Sequence, residues 1–461
     1  MVLRRELQPE PEASPAAVAA QRGARLLRVL GVGFGLAVII GNTIGSGILR
    51  TPGEVAGRLP DVWLFLGVWV AGGLYALLGA ISLAELGTML PRSGGQYVFA
   101  QRALGPYAGF VVGWSDWLST CGSTAAVSIL IGDYAGALFP ALAGRAVPVA
   151  LSITVSVAVL QWRGIRWGGG FQNLSSLFKA LAFVLLVAAC FILGGAGARE
   201  AAAPAAAPAG TALLFALVLA LQAVIYTYDG WSGVIYFSEE VRDPGRSIPR
   251  ALFGGVLSII AIYLLVNLAL IYVLPLARVA GNDLALGTAA ESVFGAHGDT
   301  IFRSLMIVSM LSGINAFHLM ATRVLFAMSR DRLGADAAVK VNRGGTPSVA
   351  LFASATVATL FIVGGERFVP VMNALAFFFV ANYTMSFISV FVLRRREPEA
   401  ERPYRAWGYP WTTALALLGS LAFLAGAIAT DLAGGTRSSL YALLMLAASY
   451  PAYLVLRRIS R

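Results

Sequence analysis

Twelve apolar runs dominate the chain and restrict its fold more than any other feature. They cover about 29–50, 63–89, 107–139, 147–162, 173–195, 211–238, 250–274, 300–327, 347–364, 368–393, 412–430 and 438–457. Crossing ~30 Å of hydrocarbon takes roughly 20 residues of helix. Lipid offers no partner for a bare peptide group, so runs of this length are predicted to be helices. The alternating pattern of a membrane β-barrel is absent. Little charge separates the runs: 12% of the 461 residues are charged and 58% are hydrophobic, against about 25% charged in an ordinary soluble domain. A water-soluble enzyme is excluded, and the fold class expected is an all-α integral membrane protein with about 12 transmembrane helices.

The basic excess, 34 Lys and Arg against 23 Asp and Glu for a net charge of +11, first suggests a nucleic-acid partner. Such partners need clustered cations, whereas these arginines lie scattered between apolar runs, and Lys179 and Lys340 are the two lysines. Their distribution fits the bias that orients membrane segments. With the N-terminus inside, 24 basic residues fall on inner segments and 8 on outer ones. Both termini are therefore expected in the cytoplasm of a multi-pass protein of the cell membrane, contacting lipid and no nucleic acid. Residues 1–28 lack the apolar core of a signal peptide and read as a disordered cytoplasmic tail. Cys121 and Cys190 sit inside apolar runs, so no disulfide framework is expected.

Two runs are interrupted near their middles, by GNTIGSGI (41–48) and by YTYDGWSG (226–233). Glycine costs about 1 kcal/mol against alanine inside a helix, so both stretches invite unwinding. One such cluster is explained by close helix packing on small residues. Two of them, each opening a block of five runs, point to the discontinuous helices of a secondary transporter. The helix resuming after Gly45 offers free N–H groups and a positive dipole end to a carboxylate. Carbonyls freed around Thr43 and around Tyr226–Asp229 suit an ammonium. Together they describe a site for a zwitterion, hence an amino acid.

The stretches GNTIGSGILRTPG (41–53), AELGTMLPRSGGQYVF (84–99) and YDGWSGVIYFSEEVRDPGRSIPRAL (228–252) resemble the amino acid–polyamine–organocation superfamily, most closely its L-type amino acid transporter branch. FQNLSSLFKAL (171–181) and NAFHLMATRVLFAMSRD (315–331) match more weakly. The resemblance implies a five-plus-five inverted repeat with broken helices 1 and 6 and two accessory helices. It divides the chain into a tail (1–28), a first repeat (29–195), an Ala/Pro external linker (196–210), a second repeat (211–393), and a cytoplasmic loop with two accessory helices (394–461). It implies alternating access, with N–H groups near Gly45, Ser46 and Gly47 holding the substrate carboxylate. Carbonyls of Thr43, Tyr226, Thr227 and Asp229 would take the amino group. Tyr226 stands where many relatives carry an aromatic gate, usually Phe, and reads as the lid above the substrate.

Lys179 lies inside the fifth run, where a charge costs at least about 2.5 kcal/mol and marks a functional position by default. The resemblance places it where sodium-coupled cousins hold a sodium ion, which implies sodium-independent transport with Lys179 in coupling or gating. The alternative is a charged strut between helices. Asp229 either attracts a cationic group or caps the resuming half-helix. Asp116 either pairs with a buried partner or lines the pathway. Glu85, Glu239, Glu240, Asp243 and Arg246 read as an inner salt-bridge network, and His318 as a packed residue.

No GxxxxGK[ST] loop, HExxH or paired Cys/His spacing occurs, so no nucleotide-driven pump, metal site or cofactor is expected, and no enzyme. The function read from the chain is sodium-independent amino acid transport by exchange or proton coupling. A sensor on the same scaffold and a carrier of polyamines or other organic cations are the alternatives. Animal relatives of the branch join a heavy chain through a cysteine in the loop after span three. The corresponding stretch, about 134–147, has none, so no covalent heavy-chain subunit is expected.

Overall fold

The computed structural model describes residues 26–194, 208–365, 369–434 and 438–459. Short turns aside, the helices are α1 (Val32–Thr43), α2 (Gly47–Arg58), α3 (Val62–Met89), α4 (Gln96–Leu104), α5 (Pro106–Leu138), α6 (Ala146–Trp162), α7 (Ile165–Leu193) and α8 (Gly210–Tyr228). They continue with α9 (Pro244–Val273), α10 (Ala285–Phe294), α11 (Gly298–Arg330), α12 (Ser348–Gly364), α13 (Val369–Arg396), α14 (Trp411–Gly434) and α15 (Ser438–Ile459). Each of the twelve apolar runs coincides with helix, the first divided between α1 and α2 and the sixth leaving α8 after Tyr228 for a turn and a short 3-10 segment. Among the described residues β-structure is limited to two isolated bridges, Leu30 with Val241 and Val341 with Pro347.

Among the described residues nine helices are long and apolar enough to cross a membrane, ten if the bent pair α1–α2 counts as one span. The other two apolar helices, α6 and α12, have 17 residues each. At 1.5 Å per residue they reach about 25 Å, near the lower limit for a span. The chain is a multi-pass membrane protein.

Burial sorts the helices into a centre and a rim. The most apolar window of the Ala285–Arg330 stretch is 72% buried, against 22% and 17% for the last two spans. α11 is therefore the central column, and α14 and α15 face lipid. Small residues let the first helix lie close to α9. A Cβ on Gly35 would stand 2.6 Å from Ala251, and one on Gly255 would stand 2.6 Å from Ile39. Apolar driving force is weak between helices in lipid, so this close backbone approach supplies the contact.

The tail expected over 1–28 lies outside the described residues apart from its last three. There Leu26 is buried against Phe326, Ala338 and Ala350, and Leu30 N–H donates to Glu240 O at 3.0 Å. Leu26 gives this stretch an apolar anchor that the tail's composition obscured. Most of the 196–210 linker also lies outside the described residues.

Candidate functional site

Both sequence interruptions are real breaks, and the fold brings them together. At the first, Ile44 turns extended and α2 restarts at Gly47, bent 49° from α1. No side chain caps the start of α2, so the N–H groups of Gly47 and Ile48 remain available, while Leu49 N–H donates to Ser46 O at 3.2 Å. At the second, α8 ends at Tyr228, Asp229 is extended, and Gly230 takes φ +104° before a short 3-10 turn over Gly233–Phe237. A side chain at Gly230 would be strained by that angle and would collide with Asn42. The close approach lets Asn42 Nδ2 donate to Gly230 O at 3.4 Å.

Three further contacts join the two breaks. Thr51 and Thr227 share a hydroxyl hydrogen bond of 2.6 Å. Thr227 also stands against Gly47, where an added Cβ would sit 3.1 Å from its backbone. The Tyr263 hydroxyl, from α9, is shared between Thr43 O at 2.8 Å and Thr227 O at 3.0 Å. Two of the four carbonyls expected to take an amino group thus already accept a hydroxyl, and Tyr226 O accepts the Asp229 N–H at 3.1 Å. Each carbonyl retains a second lone pair. Space opens at the other side of the first break: nothing lies within 4 Å of a Cβ built on Gly45, and Ser46 is partly exposed. Tyr226 is 48% exposed between buried Ile225 and Thr227.

Beneath the first break sits Lys179, fully buried on α7. Its ammonium donates to Gly41 O at 2.8 Å and Ile44 O at 2.5 Å, the carbonyls released where α1 stops. From α11, the Ser312 and Ser309 hydroxyls reach the same two oxygens at 3.5 and 3.4 Å. One turn down α7, Ser176 and Gln172 both donate to Ala37 O. Asn315 of α11 donates to Gln172 Oε1 at 2.7 Å and accepts from Gln161. Helices α1, α7 and α11 are thus tied by one continuous polar seam in an apolar setting, where an unmet polar group would be expensive.

Asp229 accepts the Tyr383 hydroxyl of α13 at 2.7 Å. The 3-10 turn that follows has no side-chain cap, so of the two roles open to Asp229 the geometry does not contain capping of that turn. Asp116, buried on α5, accepts from the Tyr236 hydroxyl at 2.9 and 3.0 Å to its two oxygens. Each acid near the second break therefore faces a tyrosine, and among the described residues neither forms an ion pair. His318 is buried with no partner for Nε2.

One end of the bundle is closed by ion pairs. Arg323 and Glu240 pair at 2.9 and 3.0 Å, both side chains fully buried, beside the Phe237 ring. Glu85 accepts from Arg394, Arg402 and the Ala406 N–H. Arg330 pairs with Glu239 at 2.8 Å, and Arg92 with Asp331 at 2.8 Å. Tyr97 also donates to Asp331 at 3.0 Å; burial, with the adjacent carboxylate, pushes its hydroxyl above the usual phenol range, so it stays a donor. Asp243 and Arg246 are exposed, 4.0 Å apart, and sit outside this network.

Among the described residues no group of three or more His, Cys, Asp or Glu is placed to hold a metal ion. Tyr263, Tyr383 and Tyr236 were not singled out in the sequence, because each reads there as one more aromatic in an apolar run. Arg323 did carry a signal, a charge within the eighth run, but its partner at Glu240 was not legible.

The chain matches the family model described as amino acid permease over residues 35–449. It is 28% identical over 424 residues to the serine/threonine exchanger SteT of Bacillus subtilis (strain 168), covering 88% of this chain and 92% of that protein. Asc-type amino acid transporter 1 of Mus musculus is 28% identical over 390 residues, covering 82% and 73%. The b(0,+)-type amino acid transporter 1 of Homo sapiens is 26% identical over 389 residues, covering 82% and 79%.

Proposed function

The chain belongs to the amino acid permease family, and from that premise we propose a sodium-independent carrier that exchanges amino acids by alternating access. The family makes amino acid transport across a membrane the activity. Exchange is favoured over proton coupling by the serine/threonine exchanger among its relatives. The observation that carries the reading is the pair of facing breaks, with the uncapped start of α2 on one side and the half-exposed Tyr226 on the other. Orphan N–H groups at a helix start favour an anion, so Gly45, Ser46 and Gly47 take the substrate carboxylate. The amino group takes the carbonyls of Thr43, Tyr226, Thr227 and Asp229, sharing two of them with Tyr263. Tyr226 closes over the bound substrate. Lys179 sets its Nζ on two carbonyls of the first break, which supports independence from sodium.

The 24-to-8 distribution of basic residues supports a cytoplasmic location for the ion-paired end and both termini. The state described here is then closed to the cytoplasm. Residues 29–195 and 211–393 form the two inverted halves, the last two spans are accessory, and the carrier works without a covalently attached heavy chain.

The test is counterflow in proteoliposomes, with all twenty amino acids competing against labelled serine. Uptake is expected to need unlabelled amino acid inside and to be unchanged when choline replaces sodium. Accumulation that requires a sodium gradient would overturn the coupling; binding without counterflow would point to a sensor; displacement only by polyamines would overturn the substrate class.

Asp229 sets the side-chain preference in this reading. Asp229→Gly is expected to raise the half-saturating concentration for arginine or ornithine about 10- to 100-fold, the worth of one charge-assisted hydrogen bond, and that for alanine much less. Equal losses for both would remove the selectivity role.

A further inference from the structure

At the ion-paired end, away from the breaks, a cleft of about 550 Å³ opens where α5 begins and α15 ends. Its walls include Tyr107, Leu333 and Tyr453, and its rim includes Asp331, Arg332 and Arg457. The charges do not cancel. Asp331 is already engaged by Arg92 and Tyr97. Arg332 and Arg457 are exposed, and among the described residues neither pairs with an acidic side chain. Arg332 holds φ +59°, a left-handed angle that a non-glycine residue adopts only against a steric penalty.

The apolar walls are as specific as the charges. Tyr107 meets Tyr453 at 5.3 Å and Tyr450 at 5.4 Å between ring centroids, both edge-on. Tyrosine favours the membrane–water boundary, with its ring in hydrocarbon and its hydroxyl among headgroups. One and two turns along α15 from Arg457, on the same side of the helix, Leu454 and Tyr450 are exposed, and α15 is mostly uncovered by protein. An occupant of this cleft therefore meets two cations and an aromatic rim at one end and bare lipid-facing surface at the other.

We propose that this cleft is a binding site for an anionic phospholipid, with the phosphate headgroup between Arg332 and Arg457 and an acyl chain along the exposed face of α15. Charge complementarity and the location at the basic end select an anionic lipid over a zwitterionic one. A free phosphate would satisfy the arginines and leave the apolar route unused.

Thermal unfolding of the purified full chain in detergent tests the site, with dioleoyl-phosphatidylglycerol, dioleoyl-phosphatidylcholine and inorganic phosphate as probes. The glycerol lipid is expected to raise the unfolding midpoint at about tenfold lower concentration than the choline lipid, the scale of discrimination that two arginines provide near an anionic surface. The Arg332→Gln/Arg457→Gln double variant should lose that preference. Arg166→Gln, an exposed arginine at the start of α7, should keep it. Equal effects of the two lipids on the unaltered chain would overturn the proposal, as would a preference that survives in the double variant. Inorganic phosphate that reproduces the whole shift would identify a soluble anion as the occupant and overturn the lipid assignment.

Discussion

Lys179→Met is expected to lower amino acid exchange in proteoliposomes by about 10²-fold or more, with the protein still inserted and monodisperse. Methionine keeps the length and packing of the lysine stem and removes both hydrogen bonds to Gly41 O and Ile44 O. Hydrogen bonds to a charged group are worth about 1.5–3 kcal/mol each. Losing two in the state that needs them, partly offset by Ser309 and Ser312 on the same oxygens, leaves about 3 kcal/mol, or two decades in rate. Initial exchange rates with saturating internal substrate check this. A variant within threefold of the unaltered chain would mean that the serines alone hold the break, and that Lys179 is a strut with no part in the cycle.

The second large effect concerns Arg323 and Glu240. Both side chains are fully buried and doubly hydrogen-bonded. Glu240→Gln leaves the guanidinium without its counter-charge, which costs about 3–5 kcal/mol when a buried pair is broken from one side. Removing both charges, as in Arg323→Met/Glu240→Met, avoids the orphan and is expected to recover most of that stability. Thermal unfolding of the three variants, with Arg323→Met as the third, should rank the double above either single. The pair ties central α11 to the segment after the second break, so the stable double variant should also leak. Efflux of preloaded substrate without external amino acid is expected to rise about tenfold, the equivalent of ~1.4 kcal/mol in the closed end. A double variant as unstable as the singles would mean that local packing, and not charge, holds this joint.

The helices were largely readable from the chain because their cause is carried residue by residue. A run such as 63–89 carries no charge before Glu85, and α3 covers Val62–Met89. The interruptions at 41–48 and 226–233 were visible for the same reason, since glycine and small polar residues stand out in such runs. The site was readable only in part. Lys179 announced itself by its charge, and its depth followed from its place in the fifth run. Its receptors, Gly41 O and Ile44 O, are backbone atoms 138 and 135 positions away; the glycines around them signalled freed carbonyls, and not which of those Lys179 would take.

Sequence by itself determined a multi-pass helical membrane protein, the two places where its helices stop, and the single lysine beside one of them. Tertiary structure alone decided which polar groups meet: Tyr263 between the two breaks, Tyr383 on Asp229 across 154 positions, and Arg394 on Glu85 across 309. The physical reason lies in how the two kinds of information are stored. Transfer into hydrocarbon is close to a sum over single residues, so composition and run length encode it. A buried hydrogen bond or ion pair depends on which faces of distant helices oppose each other, and that is decided only when the bundle closes.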